Sequence, residues 1–248
     1  MPRFFVKADQ VTDTEIKIIG EDVKHIKNVL RKQIGDIIEI CNQETEKAYK
    51  CEISNLNEEQ ITSKIIEEIS SDNEKIKVDI YQGLPKADKM ELIIQKAIEL
   101  GANAIIPVDM KRCIVKLDSK SEIKKIERWQ KIAESAAKQS GRNIIPQIGN
   151  VIQIKDLIKL QNEYDVIIVC YENEKENSLK TELLNLKEQD KQELSIAIVI
   201  GPEGGLEEND VDILKQSGAK IVTLGNRILR TETVALNVLS IIMYELEN

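Results

Sequence analysis

The last fifty residues carry the clearest hydrophobic pattern, in which two apolar runs each end at a polar loop that a helical pattern follows. Residues 195–200 are apolar and rich in β-branched side chains, and they stop at the segment Gly201-Pro202-Glu203-Gly204-Gly205. A helix is predicted to start at Leu206. Residues 219–224 predict a second strand, 225–230 a loop and 231–246 a helix. Open α/β sheets bind ligands beyond the carboxyl ends of their strands, so we predict that neighbouring parallel strands bring these two loops to one site.

The middle of the chain alternates between strand and helix patterns. Strands are predicted over residues 76–82, 104–108 and 166–170, and helices over 86–100, 122–140 and 179–188. Strands that alternate with helices are typical of a parallel sheet with helices on its faces. We therefore predict an α/β domain with a sheet of about five strands.

The first 70 residues have a different pattern, with several short apolar runs and turn residues between them. They predict a meander of four to six strands in a compact β-barrel, interrupted by one amphipathic helix over residues 21–30. A polar, turn-prone stretch at 70–75 is a candidate linker. The prediction is a binding module at 1–70 and a larger domain at 75–248.

Composition narrows the classes of protein and of site. Hydrophobic residues make up 42% of the 248 residues but aromatic residues only 3%, so the core is predicted to be aliphatic. No apolar run has the length of a membrane span, and the first residues lack a signal-peptide core. The four cysteines are far apart and His25 is the only histidine. These features argue against a zinc site, a disulfide scaffold or a histidine triad, and they predict a cytoplasmic protein without a metal or a membrane.

The charge distribution leaves the class of ligand open. The net charge of −8 does not indicate a nucleic-acid binder, and basic clusters such as the one around Arg31 are also typical of solvated helix faces. Neither glycine loop has the spacing of a dinucleotide site or a P-loop. Acidic residues at 207, 208 and 210 would repel a phosphate at the start of the following helix, so a ligand with a neutral or cationic contact group fits better.

Several motifs together resemble the RsmE family of SPOUT methyltransferases. The paired segments are Gly201-Pro202-Glu203-Gly204-Gly205 and Leu224-Gly225-Asn226-Arg227-Ile228-Leu229-Arg230-Thr231-Glu232, and the family's earlier motifs have counterparts at 25–36, 82–89 and 139–142. The resemblance implies a SPOUT-type parallel sheet with a C-terminal trefoil knot, preceded by a small PUA-like β-barrel. It further implies methylation of uridine N3 in 16S ribosomal RNA with S-adenosyl-L-methionine.

The same resemblance implies roles for individual residues. Arg31, Lys86 and Arg142 would contact RNA, either as 16S ribosomal RNA or as the assembled small ribosomal subunit. A homodimer would form through the knot helices, which include residues 231–246. The residues implied to hold the cofactor, mainly through backbone groups, are Tyr171, Gly201, Glu203, Gly204, Gly205, Leu224, Gly225 and Leu229.

The chemistry at uridine N3 suggests two catalytic residues. The N3 proton has to be removed, or the resulting anion stabilised, while the methyl group is held in line with the nitrogen. Arg230 could stabilise negative charge on the base, and Glu232 or Glu203 could act as a general base if burial raises its pKa. We predict that Arg230 and Glu232 face the active site and that Glu203 orders its loop. A mutual ion pair between Arg230 and Glu232 is the alternative.

Two other functions compete with this one. The chain could be a non-catalytic RNA- or ribosome-binding protein that has lost the chemistry, but the intact glycine loops argue against that. It could also be a nucleotide-binding hydrolase or transferase that holds a phosphate at residues 201–205. The acidic helix start and the absence of a P-loop lysine argue against a phosphate site.

Overall fold

The structure, a computed structural model, describes residues 3–69, 75–189 and 191–247, which group into two compact units. The first unit comprises Met1–Asn73 and Glu134–Ile145, and the second comprises Glu74–Ala133 and Pro146–Asn248. The predicted linker at 70–75 lies, apart from Lys75, outside the described residues. Residues 134–145 were predicted to be in the second domain, yet they cluster with the first unit. Lys138 explains part of this, because its ammonium donates to both carboxylate oxygens of Asp22 at 2.8 and 3.0 Å.

The first unit contains a five-stranded sheet that forms half of a barrel. Its strands are β1 (Arg3–Val6), β2 (Glu15–Ile19), β3 (Ile37–Asn42), β4 (Ala48–Leu56) and β5 (Gln60–Ile69). Their order in the sheet is β1-β3-β4-β5-β2, and β1 pairs with β3 in parallel while the other pairs are antiparallel. The predicted meander is therefore wrong except for β3, β4 and β5, because the chain leaves the sheet between β2 and β3. Buried aliphatic side chains, with Phe4, fill one face of the sheet.

The predicted helix over residues 21–30 is replaced by two shorter helical elements. Helix α1 (Glu21–Lys24) continues into a π-helical turn at His25–Val29, where the Leu30 amide donates to the His25 carbonyl at 3.0 Å. The wider turn ends at Val29, and two residues later Arg31 adopts a left-handed backbone with φ of 54° and is exposed. This geometry directs the chain into the loop that precedes β3.

The second unit is built on a parallel sheet whose strands alternate with helices. The strand order is β12-β10-β11-β6-β7-β8, and β9 also pairs with β7. The seven strands exceed the predicted five because β8 and β9 have only two residues each. The elements are β6 (Ile76–Gly83), α2 (Lys89–Glu99), β7 (Ala102–Asp109), α3 (Ser119–Ser140), β8 (Gln147–Ile148), β9 (Ile152–Gln153), α4 (Ile154–Leu157), β10 (Val166–Cys170), α5 (Leu179–Lys187), β11 (Leu194–Ile200), α6 (Glu208–Gln216), β12 (Lys220–Val222) and α7 (Thr231–Leu246).

Two details of the second unit correct the sequence analysis. Strands β11 and β12 were predicted to be neighbours, but β10 lies between them and pairs with both. The loop after β10 therefore separates the two glycine-containing loops. Helix α2 begins at Lys89 instead of residue 86, because Ala87 has a φ of 52° and breaks the helical conformation. Helix α6 begins at Glu208, two residues later than predicted.

All four cysteines are free and buried. Burial raises the pKa of Cys41 to about 11 and those of Cys51 and Cys170 to about 12, and it also raises the pKa of Cys113. In the described ranges, no helix is long and apolar enough to cross a membrane. Across 3–69, 75–189 and 191–247, no group of three or more His, Cys, Asp or Glu residues could hold a metal ion.

Candidate active site

A cavity of about 700 Å³ lies at the carboxyl ends of β10, β11 and β12. Three loops form most of its wall: the one that follows β10, the glycine loop at 201–205, and the loop at 223–230. Lys89 of α2, Thr231 and Val234 of α7, and the strand ends Cys170 and Ile200 complete it. The position agrees with the general rule for open parallel sheets, which bind ligands beyond the carboxyl ends of their strands.

The glycine loop is too crowded for side chains at several positions. A Cβ at Gly201 would lie 3.0 Å from the carbonyl carbon of Gly205. Gly205 has a φ of 70°, and a Cβ there would overlap the carboxylate of Glu172. Underneath the loop, a Cβ at Gly83 would lie 2.7 Å from Pro202 Cδ. The loop is therefore compact because glycine lets backbone segments approach closely.

Hydrogen bonds from the Arg112 side chain, from the Lys86 backbone and within the loop itself also hold the glycine loop in place. Arg112 donates from Nη1 to the carbonyl of Gly204 at 3.0 Å. The backbone amide of Lys86 donates to Glu203 Oε1 at 3.0 Å. Within the loop, the Gly205 amide donates to the Pro202 carbonyl at 2.9 Å. Each of the four residues from Pro202 to Gly205 is therefore held by at least one hydrogen bond.

Lys89 joins the glycine loop to the start of α7. Its Nζ lies 3.2 Å from Glu203 Oε1 and 3.1 Å from Glu232 Oε2. The carboxylates of Glu232 and Glu203, which accept from this ammonium, raise the pKa of Lys89. Burial acts to raise the pKa values of Glu203 and Glu232, but their own backbone amides and the Lys89 ammonium outweigh it and lower both. The raised pKa that a general base would need is not found at either carboxylate.

A buried chain of hydrogen bonds runs beneath the cavity between three separate segments. Gln82 Nε2 donates to Thr231 Oγ1 at 2.8 Å, and Thr231 Oγ1 donates to the Gly201 carbonyl at 2.7 Å. Gln82 is fully buried and Thr231 is 5% exposed. The end of β6, the first residue of the glycine loop and the first residue of α7 are therefore linked directly.

The loop at 223–230 makes fewer contacts. The Thr223 amide donates to the Asn177 carbonyl at 2.8 Å, and the Gly225 amide donates to Thr223 Oγ1 at 3.2 Å. Residues 225–228 are exposed, and Ile228 reaches 86% exposure. This wall of the cavity is the more open one.

The loop after β10 supplies the third wall. The Tyr171 amide donates to the Val222 carbonyl at 3.0 Å, and Asn173 Nδ2 donates to the Tyr171 hydroxyl at 3.1 Å. The Glu174 carboxylate accepts from the backbone amides of residues 175–177, and these bonds lower its pKa. The wall therefore carries a fixed negative charge beside the aromatic ring.

The predicted site residues of the second unit fall into three groups. The eight residues predicted to hold the cofactor all border the cavity, as does Arg230. Glu232 lies next to it through its ion pair with Lys89. Lys86 is exposed but does not border the cavity, and its amide holds Glu203.

The two remaining predicted RNA contacts belong to the first unit. Arg31 is exposed, whereas Arg142 is only 8% exposed. Arg142 lies two residues beyond the end of α3, and its amide donates back to the Ala137 carbonyl at 3.1 Å. An RNA contact by Arg142 would require its side chain to leave this buried position.

The sequence analysis did not assign roles to Gln82 and Thr231, and it grouped Lys89 with Lys86 and Asp88 as residues expected to face the substrate. Lys89 differs from Lys86 only by its place at the first residue of α2, and the shifted helix start decides which lysine reaches the cavity. Gln82 and Thr231 are 149 positions apart, so no local pattern could have paired them.

The cavity fits S-adenosylmethionine in size and chemistry. Its volume is within the usual range of about 300–1,000 Å³ for small-molecule sites. The wall combines backbone groups and apolar side chains, which suit an adenine, with charged side chains of both signs. The acidic ones are Glu172, Glu174 and Glu203, and the basic ones are Lys89, Lys175, Arg227 and Arg230. The described lining lacks the phosphate-binding arrangement of a P-loop.

Comparison with known proteins identifies the family. Residues 72–243 match the RNA methyltransferase domain, and residues 18–66 match the RNA methyltransferase PUA domain. The chain is 40% identical over 251 aligned positions to a Bacillus subtilis protein named ribosomal RNA small subunit methyltransferase E, covering 100% of this chain and 98% of that protein. The chain belongs to the ribosomal RNA small subunit methyltransferase E family. The resemblance found in the sequence is thus confirmed.

Further members of the methyltransferase E family are similar along their whole length. The protein of Mesomycoplasma hyopneumoniae is 34% identical, with 97% of this chain and 98% of that protein aligned. The crystal structure of the Neisseria gonorrhoeae methyltransferase E, described as bound to S-adenosyl methionine, has a TM-score of 0.83 at 30% identity and covers 98% and 97% of the two chains. The predicted fold class, a SPOUT-type α/β domain after a PUA-like sheet, is confirmed by these similarities.

Proposed function

We propose that this member of the methyltransferase E family transfers a methyl group from S-adenosylmethionine to N3 of a uridine in 16S ribosomal RNA. The observation that carries the proposal is the cavity at the ends of β10, β11 and β12, bordered by all eight residues predicted to hold the cofactor. A relative with 30% identity and a TM-score of 0.83 binds this cofactor. The alternative of a non-catalytic RNA-binding protein has no comparable support.

In this proposal the three loops divide the cofactor between them. Backbone groups of Leu224, Gly225 and Leu229 would hold the adenine, and the glycine loop would hold the ribose. When bound, S-adenosylmethionine supplies an electrophilic methyl group.

Arg230 is the residue proposed to act on the target base. It is exposed at the edge of the cavity and helps to lower the pKa of Glu232. Its guanidinium would stabilise the negative charge that spreads to O2 and O4 as uridine loses the N3 proton. Because the pKa values of Glu203 and Glu232 are lowered, both carboxylates are weak bases. Their proposed role is to orient Arg230 and Lys89.

The first unit and the loop before α2 are proposed to bind RNA. Arg31 and Lys86 are both exposed and would contact phosphate groups, either of 16S ribosomal RNA or of the assembled small subunit. Arg142 would join them only if its side chain becomes exposed. A ribosomal substrate would place the protein in the cytoplasm.

The trefoil knot and the homodimer are proposed for the C-terminal region. Thr223 is tied to Asn177 and Leu179, while α7 returns to pack on α2, β6 and β11 away from the edge strand β12. This path, which runs from the edge strand β12 back to the middle of the sheet, supports the proposal of a knot. The helices also present exposed apolar side chains, namely Leu92, Leu184 and Tyr244, which a second copy could cover. Sedimentation of the protein at several concentrations tests the dimer.

The experiment that tests the reaction uses the full chain, small ribosomal subunits and labelled S-adenosylmethionine. The proposal expects label in 16S ribosomal RNA and a nucleoside that mass spectrometry identifies as N3-methyluridine. Label at another atom would refute the N3 assignment. Calorimetric binding of ATP without binding of S-adenosylmethionine would refute the cofactor assignment and support the nucleotide-binding alternative.

A further inference from the structure

We infer that Thr231 is a positioning residue for the cofactor. Its hydroxyl orients the carbonyl of Gly201, which lies in the wall of the cavity. The inference rests on the proposed function, since it concerns the same cavity. It goes beyond that function because it assigns a task to a buried hydroxyl group and to the amide of Gln82.

The direction of the hydrogen bonds follows from the chemistry of the groups. The Gln82 amide nitrogen is a donor only, and its two protons go to the Gly83 carbonyl at 3.0 Å and to Thr231 Oγ1 at 2.8 Å. The Thr231 hydroxyl therefore accepts from Gln82 and directs its own proton to the Gly201 carbonyl, 2.7 Å away. A chain of bonds with one direction polarises each member and strengthens the whole.

Burial makes this chain of bonds selective for one geometry. Gln82 has no exposed surface and its amide oxygen has no hydrogen-bond partner among the described residues, so the amide is held through its nitrogen alone. Water cannot readily replace a lost partner at such a position. If the Gln82 amide, the Thr231 hydroxyl or the Gly201 carbonyl rotated, a second buried polar atom besides Gln82 Oε1 would lose its hydrogen bond.

The Gly201 carbonyl is the point from which the glycine loop is built. Its peptide plane sets the position of Pro202, which packs against Gly83 at a distance that excludes a Cβ. The hydroxyl that holds this carbonyl belongs to the first residue of α7, directly after the loop at 223–230. Thr231 thus holds together two of the three walls of the cavity.

The test compares Thr231→Val with Thr231→Ser by calorimetry with S-adenosylhomocysteine. Valine has nearly the shape of threonine but cannot form either bond, so the dissociation constant should rise about tenfold. Serine retains the hydroxyl and should restore binding to within about threefold of the wild-type protein. Thr233→Val is the matched control, because Thr233 is an exposed threonine in the same helical turn. The affinity of this variant for S-adenosylhomocysteine should equal that of the wild-type protein.

A second readout does not depend on the cofactor. Without ligand, the backbone amides of residue 201 and residues 203–206 should exchange hydrogen faster in Thr231→Val than in Thr231→Ser. If the valine variant does not fold, Gln82→Met takes its place. That variant leaves the hydroxyl without its donor and should weaken binding by about threefold.

The outcomes separate this inference from the proposed function. Equal affinity and equal exchange in Thr231→Val and the wild-type protein would overturn the inference alone. Failure of serine to restore binding would also overturn it. Loss of binding in the valine variant, with a wild-type protein that binds S-adenosylhomocysteine but methylates no RNA, would support the inference and refute the catalytic proposal. A wild-type protein that binds no S-adenosylhomocysteine would overturn both.

Discussion

The two glycine-containing loops of the cavity differ in how firmly the rest of the chain holds them. In the loop at 201–205, Gly201 is bonded to Thr231, Glu203 to Lys89 and Gly204 to Arg112. In the loop at 223–230, residues 225–228 are exposed, and a Cβ at Gly225 would meet no atom within 4 Å. One wall of the cavity is therefore fixed before a ligand arrives, while the other can still adjust.

This difference suggests a division of work between the loops. A preformed wall lowers the entropy cost of binding, because it does not have to be ordered by the ligand. A wall with few contacts can open and close, which a largely enclosed ligand needs in order to enter and leave. We expect mutations in the firmly held loop to affect stability and cofactor affinity, and mutations in the open loop to affect turnover.

The largest effect is expected from Gly83→Ala, beneath the firmly held loop. The new Cβ would lie 2.7 Å from both the ring and the backbone nitrogen of Pro202 and 2.9 Å from Met110 Sδ. Overpacking of this kind should lower the free energy of unfolding by about 3 kcal/mol, measured by urea denaturation. Cofactor binding should fall with it. An unchanged urea midpoint would show that Pro202 can move away from Gly83 at little cost.

The next effect concerns the open loop and is expected in catalysis. Arg230→Ala should lower kcat by about 10²–10³-fold, the usual cost of losing a group that stabilises developing charge. The affinity for S-adenosylhomocysteine should change by no more than about twofold, because the cofactor is held mainly by backbone groups. Arg230→Lys keeps the charge but loses the planar guanidinium and should have intermediate turnover. A large loss of affinity with a normal kcat would indicate that Arg230 contacts the cofactor and not the target base.

A smaller effect is expected from Gly225→Ala, which is the matched counterpart of Gly83→Ala. Gly225 has space for a methyl group, but its φ of 103° is unfavourable for alanine. The free energy of unfolding should fall by about 1 kcal/mol, clearly less than for Gly83→Ala. Equal losses of unfolding free energy in Gly83→Ala and Gly225→Ala would contradict the proposed difference between the two loops. The lack of space at Gly83 would then cost no more than the backbone strain at Gly225.

The smallest effect is expected from Lys89→Met, and it appears in the pH dependence of stability. Lys89 helps to lower the pKa values of Glu203 and Glu232, so these carboxylates stabilise the fold above their ordinary value of 4.5. That contribution is lost as the pH falls through their lowered pKa values. Without the ammonium both values rise, and the acid-dependent fall of the urea midpoint between about pH 7 and about pH 3 should become shallower.

Lys86→Met is the control for this measurement. The side chain of Lys86 is exposed, and its contact with Glu203 is made by the backbone amide, which the substitution keeps. Its pH profile should therefore match that of the wild-type protein. If Lys86→Met and Lys89→Met have the same profile, the two ion pairs of Lys89 do not govern the ionisation of Glu203 and Glu232.

The local elements of this site could be predicted from the sequence, because they depend on local patterns. An apolar run that ends at Gly201-Pro202 has few alternatives to a buried strand and a tight turn, and β11 ends at Ile200 as expected. Helix α7 begins and ends at the predicted residues. The family motifs then indicated which loop residues border the cavity.

The arrangement of these elements could not be predicted in the same way. Strand order depends on which surfaces pack together, and nothing local to residues 194–224 indicates that β10 lies between β11 and β12. The left-handed backbone of Ala87 delays α2 by three residues and brings Lys89 to the cavity in place of Lys86. The bond between Gln82 and Thr231 depends on the packing of β6 against α7, which only the folded chain brings together.

The distribution of the four buried thiols has a practical consequence. Cys41 and Cys51 are in the first unit, and Cys113 and Cys170 are in the second. Alkylating reagents react with the thiolate, which burial and a raised pKa suppress until the surrounding segment opens. The chain therefore contains a natural pair of reporters in each unit. Pulsed alkylation followed by peptide mapping would give separate opening rates for the two units, without an introduced label.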